Sequence, residues 1–177
     1  MEFLKTEIEG LMILRPRVFE DARGYFFESF SQREFDAVVP GERFVQDNES
    51  RSSYGVVRGL HFQKAPHAQG KLTRCVRGRV LDIAMDIREG SATYGKYVAV
   101  ELSEENHLQF WIPAGFAHGF SVLSDVAVFQ YKCDEFYHPE TEDGFNPLSP
   151  ALGIDWQVPA EKMILSDKDR VRRCFEF

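Results

Sequence analysis

Residues 80–87, Val80-Leu81-Asp82-Ile83-Ala84-Met85-Asp86-Ile87, alternate with a period of two, so Leu81, Ile83, Met85 and Ile87 fall on one side and Asp82, Ala84 and Asp86 on the other. Arg88-Glu89-Gly90-Ser91 then ends the run. The same alternation returns in Val98, Val100 and Leu102, in Leu108, Phe110 and Ile112 before Pro113, and in Ala127, Phe129, Tyr131 and Cys133. Short extended segments separated by turn residues every eight to twelve positions or so are the pattern of an all-β sandwich or barrel. Strands are expected to dominate from about Leu11 to Tyr137.

Helix is scarce in such a chain. Ser31-Gln32-Arg33-Glu34 has the form of a capping box, in which hydroxyl and carboxylate each satisfy a free backbone N–H, and Pro40-Gly41 supplies a stop. One short helix is expected there. The last forty residues or so lose the two-residue period and gain Pro147, Pro150 and Pro159, so they are expected to wrap the barrel as loops and helical turns. No repeat or linker marks a boundary, and 177 residues suit one well-filled domain, 1–177.

Against this background Arg58-Gly59-Leu60-His61-Phe62-Gln63 stands out, with Lys71 shortly after it and Pro113-Ala114-Gly115-Phe116-Ala117-His118-Gly119-Phe120 further on. Charge on a buried strand is costly without a partner, so these groups are better suited to a wet pocket than to a core. Strict alternation, however, places Arg58 and His61 on opposite faces. Both can line one cavity only if the strand is irregular between them, and Gly59 is the residue that permits a bulge.

Pro-x-Gly-x-x-His on a late strand resembles the cupin pattern, in which histidines and a carboxylate hold a metal. The metal version fails here: Gln63 stands where a second histidine would be needed, and no carboxylate follows before Asp82 and Glu89. Two imidazoles beside a lysine make a poor divalent site. A metal-free pocket fits better, with His61 as the proton acceptor near neutral pH. It needs an orienting carboxylate, and Asp167 or Asp169 in Leu165-Ser166-Asp167-Lys168-Asp169 can supply one by folding back over the barrel mouth. Lys71 suits stabilisation of a developing oxyanion. Tyr131 can return a proton from the other side, Arg58 and Lys168 suit a diphosphate, and Tyr137 can stack on a nucleobase.

Taken singly, each of these residues has an ordinary structural explanation. A strand histidine is usually just hydrogen-bonded, a buried tyrosine is usually core, and a strand-edge lysine is usually solvated. Gly115 and Gly119 can serve only to turn the chain. His67, His107 and His138 sit in loop contexts and read as surface residues.

Composition excludes several classes. With 21 Lys and Arg against 28 Asp and Glu, the net charge of −7 argues against nucleic-acid binding, which needs a positive surface field. A small anion remains accessible to a few converging cations. Glu2, Lys5, Glu7 and Glu9 precede no long apolar stretch, so neither signal peptide nor membrane anchor is expected, and the compartment is expected to be the cytoplasm. Cys75, Cys133 and Cys174 form no Cys-x-x-Cys pair and suit reduced thiols.

Gln46-Asp47-Asn48, the Arg58–Gln63 strand, Gln69-Gly70-Lys71-Leu72, Gly115–Phe120, Tyr131-Lys132-Cys133 and Leu165–Asp169, in that order and spacing, closely resemble the dTDP-4-dehydrorhamnose 3,5-epimerase family. The likeness runs from about Glu20 to Asp169. It implies an all-β, metal-free, cupin-type jelly-roll barrel that works without a cofactor, as a homodimer, in dTDP-L-rhamnose synthesis. By the resemblance His61 is the proton acceptor, Asp169 its partner, Tyr131 the proton donor and Lys71 the residue near the C4 oxygen. Nucleotide and phosphate contacts carry over to Arg23, Glu28, Gln46, Asn48, Arg58, His118, Glu142 and Lys168, with Tyr137 stacking on the thymine. Arg23 and Glu28 lie on an N-terminal segment that in the family completes a neighbouring subunit's site.

The chain departs from the family pattern after the tyrosine strand, with Phe145-Asn146-Pro147-Leu148-Ser149-Pro150 in place of Trp-Asn-Asp-Pro, in a loop that the resemblance puts near the ligand. The expected reaction inverts C3 and C5 of dTDP-4-dehydro-6-deoxy-D-glucose. The alternatives are inversion of one centre in another dTDP-4-keto sugar, or a non-catalytic sugar-nucleotide binder. Retention of His61, Asp169, Lys71 and Tyr131 together argues against the last.

Overall fold

The computed structural model describes residues 1–177. Strands β1 (Glu2–Lys5), β2 (Met12–Arg15), β10 (Gln109–Ile112), β7 (Lys71–Arg77), β12 (Val126–Cys133) and β5 (Gln46–Ser53) form a six-stranded antiparallel sheet in that order. A second antiparallel sheet runs β13 (Glu142–Gly144), β6 (Val57–Gln63), β11 (Phe116–Val122), β8 (Arg79–Asp86), β9 (Tyr97–Ser103). The hairpin β3 (Phe19–Asp21) and β4 (Gly24–Phe26) stands apart from both. This is the expected all-β jelly roll of the cupin type. No helix is long and apolar enough to cross a membrane.

Alternation decides which side chains meet between the sheets. Val80 and Ala84 of β8, Val98, Val100 and Leu102 of β9, Phe116 and Phe120 of β11, and Ala127 and Phe129 of β12 form the largest buried cluster. On the same inward faces Thr73, Asp82, His118 and Tyr131 share the rows, with Asp82 between Val80 and Ala84 and His118 between Phe116 and Phe120, so polar groups are set among apolar neighbours.

The opposite face of β8 is covered as well. Leu81, Ile83 and Met85 pack with Val57, Leu60, Phe145, Trp156, Leu165 and Phe175, so the C-terminal segment does wrap the barrel. Each large apolar side chain buried this way contributes roughly 1.5–3 kcal/mol. The segment is also pinned by backbone bonds: the N–H of Val57 donates to Ile164 at 2.9 Å and that of Ile164 to Gly55 at 2.8 Å.

The N-terminal helix α1 (Gln32–Asp36) is present, but not for the reason its sequence suggests. Ser31 makes no capping bond through its side chain, and Glu34 instead meets the N-terminal ammonium at 2.9 Å. What holds the turn is Phe35, fully buried against Leu14, Leu72 and Trp111. The other helix, α2 (Asp167–Arg170), does carry a cap, with the Asp169 N–H donating to Ser166 Oγ at 3.1 Å.

Candidate active site

Strand β6 makes the expected irregularity. His61 pairs with His118 and Arg58 with Phe120, so two steps on β11 span three on β6. Parity changes across the extra residue: Val57 and Leu60 both pack outward under the C-terminal segment, while Arg58 and His61 both line one cavity. Glycine is required on both strands. A Cβ on Gly59 would lie 2.5 Å from Gly119 Cα, and one on Gly119 would lie 2.6 Å from the Arg58 carbonyl. Gly119 therefore serves close strand approach in mid-strand rather than a turn, while Gly115, with φ of +91°, does sit at one.

The cavity, of about 320 Å³, is lined by residues of both sheets and has the size of a small-ligand site. His61 Nε2 lies 2.6 Å from Asp169 Oδ1. Of the two candidate carboxylates Asp167 is exposed, and Asp169, 3% exposed, is the one folded back. Burial pushes the Asp169 carboxyl up, but the bond and charge of His61, the Ser166 hydroxyl and Arg172 outweigh it and hold the group below the ordinary carboxylate range. An ionised carboxylate on Nε2 keeps the proton there, which leaves Nδ1 with the free lone pair.

Facing this pair, β12 brings Tyr131 to the cavity wall and β7 brings Lys71. Burial raises the Tyr131 phenol above its usual value, so it stays protonated. Lys71 is 8% exposed and makes no ion pair within 4.0 Å. Desolvation lowers its pKa, against the opposing pull of Cys133, Asp134, Asp82 and Glu142. A cation held without a partner is available to a developing negative oxygen.

His118 is tied down from behind. Its Nε2 lies 2.6 Å from Asp82 Oδ1, and Thr73 donates to the other oxygen at 2.6 Å, joining β11 and β8 of one sheet to β7 of the other. Each imidazole thus has its own aspartate, an arrangement unlike a shared metal site.

The outer part of the cavity carries Arg58, Tyr137, Glu142 and Lys168. Glu142 accepts from Lys168 at 2.7 Å, from Arg172 at 2.6 Å and from the Tyr137 hydroxyl at 2.6 Å. That bond to Glu142 also raises the Tyr137 phenol. Arg58 is held only by Ser52, with Nε and Nη2 each 3.2 Å from its hydroxyl. Three fixed cations, Arg58, Lys71 and Lys168, face two carboxylates, Glu49 and Glu142, so the wall is cationic in a chain that is acidic overall. Gln46 stands just behind it, accepting from the Tyr137 N–H at 3.0 Å and donating to Asn48 at 3.1 Å.

Besides Gln46, three expected contacts are not on this wall. Asn48 lines a neighbouring groove with Arg74 and Gln109, touching the site only through the shared Tyr131 and Glu49. Arg23 and Glu28 are exposed, and Arg23 pairs with Asp21 on the β3–β4 hairpin. The loop from Phe145 to Pro150 adds no residue to the cavity either: Phe145 is buried against Phe62 and Phe175, and Pro147 accepts from Trp156 Nε1 at 2.9 Å. Among the loop histidines His107 is packed by Tyr25 and Phe27, and His67 and His138 are stacked on each other, so none is simply a solvated surface residue.

Sequence reasoning missed other contributors. Gln63 and Gln69 line the cavity and bind loop carbonyls, Gln63 to His67 at 2.7 Å and Gln69 to Glu135 at 2.6 Å. Arg172, nearly buried, reaches Glu142 at 2.6 Å and lies 3.6 Å from Asp169. The glutamines lay inside quoted motifs, but nothing local signals Arg172. The cysteines are free, and burial pushes Cys75 up to about 12 and Cys133 up to about 11, which suits inert thiols.

Known proteins repeat this pattern of sequence and fold. The dTDP-4-dehydrorhamnose 3,5-epimerase family matches residues 5–176. The Escherichia coli K12 protein of that name is 52% identical over 170 residues, covering 96% of this chain and 91% of its own. The crystal structure of the Elizabethkingia anophelis epimerase superposes with a TM-score of 0.95 at 52% identity, over 99% of this chain and 96% of the other. That of the Legionella pneumophila enzyme, a complex with dTDP-4-keto-L-rhamnose, gives 0.94 at 48%, over 98% and 92%. With the match running from residue 5 to residue 176, well beyond the motifs around the cavity, this chain belongs to the dTDP-4-dehydrorhamnose 3,5-epimerase family.

Proposed function

We propose that the protein converts dTDP-4-dehydro-6-deoxy-D-glucose to dTDP-4-dehydro-L-rhamnose by inverting C3 and C5. The observation that carries the reading is His61 on one sheet, backed at 2.6 Å by Asp169 of α2, with Tyr131 on the other sheet, His61 and Tyr131 lining one cavity. Both carbons flank the C4 ketone, so each C–H can be lost to a base, giving an enolate. His61 takes the proton at Nδ1 while Asp169 steadies the imidazolium. Lys71 stabilises the oxygen at C4. Tyr131 then delivers a proton to the opposite face of the same carbon, which inverts it. Proton exchange with water resets both groups, and the cycle needs no cofactor.

Arg58, Lys168 and His118 suit the diphosphate, and Tyr137 the thymine ring, with Gln46, Asn48 and Glu142 around them. Arg23 and Glu28 act in the site of a second copy, so the working unit is a homodimer. The compartment that fits free thiols and a nucleotide-sugar substrate is the cytoplasm.

The test is incubation with the 4-keto sugar nucleotide in heavy water, with deuterium located by NMR. Label at C3 and C5 is expected. Label at one carbon identifies a single-centre epimerase, and binding without label identifies a non-catalytic binder. His61→Ala should abolish exchange while leaving dTDP affinity largely intact, and exchange at the normal rate in that variant removes His61 from its role. Tyr131→Phe should lower the yield of inverted product; an unchanged stereochemical yield excludes it as donor.

A further inference from the structure

A second cluster lies at the rim of the cavity. His67, on the β6–β7 connection, and His138, on the β12–β13 connection, stack face to face with ring centroids 3.5 Å apart and planes within 7°. Glu135 brings a carboxylate oxygen to 3.7 Å from His67 Nδ1. One donor atom from each of the three lies within 4.8 Å of the others. The side chains of His67, Glu135 and His138 are 33%, 33% and 29% exposed, so the group is largely shielded but reachable.

Its surroundings are organised. The Gln63 amide donates to the carbonyls of His67 at 2.7 Å and Phe136 at 3.1 Å, and accepts from the His138 N–H at 2.7 Å. One side chain thus pins both histidine-bearing connections. Glu140 lies 2.9 Å from His138 Nδ1, which fixes that proton and leaves Nε2 as a lone-pair donor. A carboxylate on the far nitrogen is the usual support of a metal-bound histidine.

We propose that His67, Glu135 and His138 form a binding site for a divalent transition ion of the zinc class, oriented by Glu140 and separate from the acid–base groups. Two neutral imidazoles, one carboxylate and room for water match Zn²⁺ and Co²⁺, whereas Mg²⁺ and Ca²⁺ call for oxygen donors. Nitrogen donors on a tetrahedral zinc stand about 3.4 Å apart, so binding draws the three atoms together and fans the rings out of parallel. Rotation about the side-chain bonds at this partly open rim supplies that movement.

Cobalt provides the test, because its visible bands report nitrogen and oxygen ligation. Titrating the metal-free full-length protein with Co²⁺ should saturate at one equivalent. His67→Asn, Glu135→Gln and His138→Asn should each weaken binding by more than about tenfold. His61→Asn and His118→Asn should leave it unchanged. On the unaltered protein, paramagnetic broadening should reach the imidazole signals of His67 and His138 and spare those of His61 and His118, a readout independent of how variants fold. Absence of saturable binding, undiminished affinity in the three variants, or broadening centred on His61 or His118 overturns the proposal.

Discussion

Under the proposed mechanism, Lys71 is a side chain that trades stability for chemistry. Its ammonium is 8% exposed with no carboxylate within 4.0 Å, and burial lowers its pKa. A base whose folded pKa is depressed binds fewer protons folded than unfolded, so its protonation opposes folding. Lys71→Met should therefore raise stability by about 1 kcal/mol, seen as a Tm increase of about 2–4 °C, while turnover collapses. A lower Tm would mean that the ammonium has partners that stabilise it. His61 is the contrasting case, with Asp169 directly behind it at 2.6 Å. Both residues were recognisable as chemistry-bearing because charge is unusual on strands with this alternation. Which of Asp167 and Asp169 backs His61 was not legible from residue type, since the two are identical in chemistry. The helix α2 decides it, exposing Asp167 and burying Asp169.

Among the elements, β6 is the one whose departure from regularity creates the site. The expected break at Gly59 is present, and it turns an impossible pairing of Arg58 and His61 into a shared wall. Its counterpart Gly119 was not legible as a packing residue, because the close approach comes from a strand far away in sequence. Gly119→Ala would set a methyl 2.6 Å from the Arg58 carbonyl and 3.1 Å from Gly59 Cα. Overpacking of this kind should destabilise the fold by about 1–3 kcal/mol and lower kcat/KM through displacement of His61 and Arg58. Denaturant unfolding together with steady-state kinetics checks this, and wild-type values for both would show that the strands can separate without cost. The helix α1 gives the opposite lesson. A capping box was written in the sequence, yet the helix is held by the burial of Phe35, because tertiary packing outweighs a single cap.

At the level of the whole molecule, the exposed β3–β4 hairpin presents Phe19, Tyr25 and Phe26, 51%, 58% and 71% exposed, beside Arg23. If Arg23 serves a second copy, two inactive variants should complement each other. Random mixing of Arg23→Ala and His61→Ala chains by unfolding and refolding should recover about a quarter of wild-type activity, since half the dimers are mixed and each holds one intact site of two. No recovery would place Arg23 in the site of its own chain. The all-β class, the strand spacing and the residues that line the cavity with ionisable groups were readable beforehand, since alternation and side-chain chemistry are local properties that any sequence displays. The chain could not display which groups meet. The bulge that brings Arg58 beside His61, the C-terminal return that carries Asp169 and Arg172 to the barrel mouth, and the stacking of His67 on His138 all join positions remote in sequence. Such contacts exist only once two sheets and a wrapping segment have packed, because the free energy that fixes them comes from burial shared among many residues.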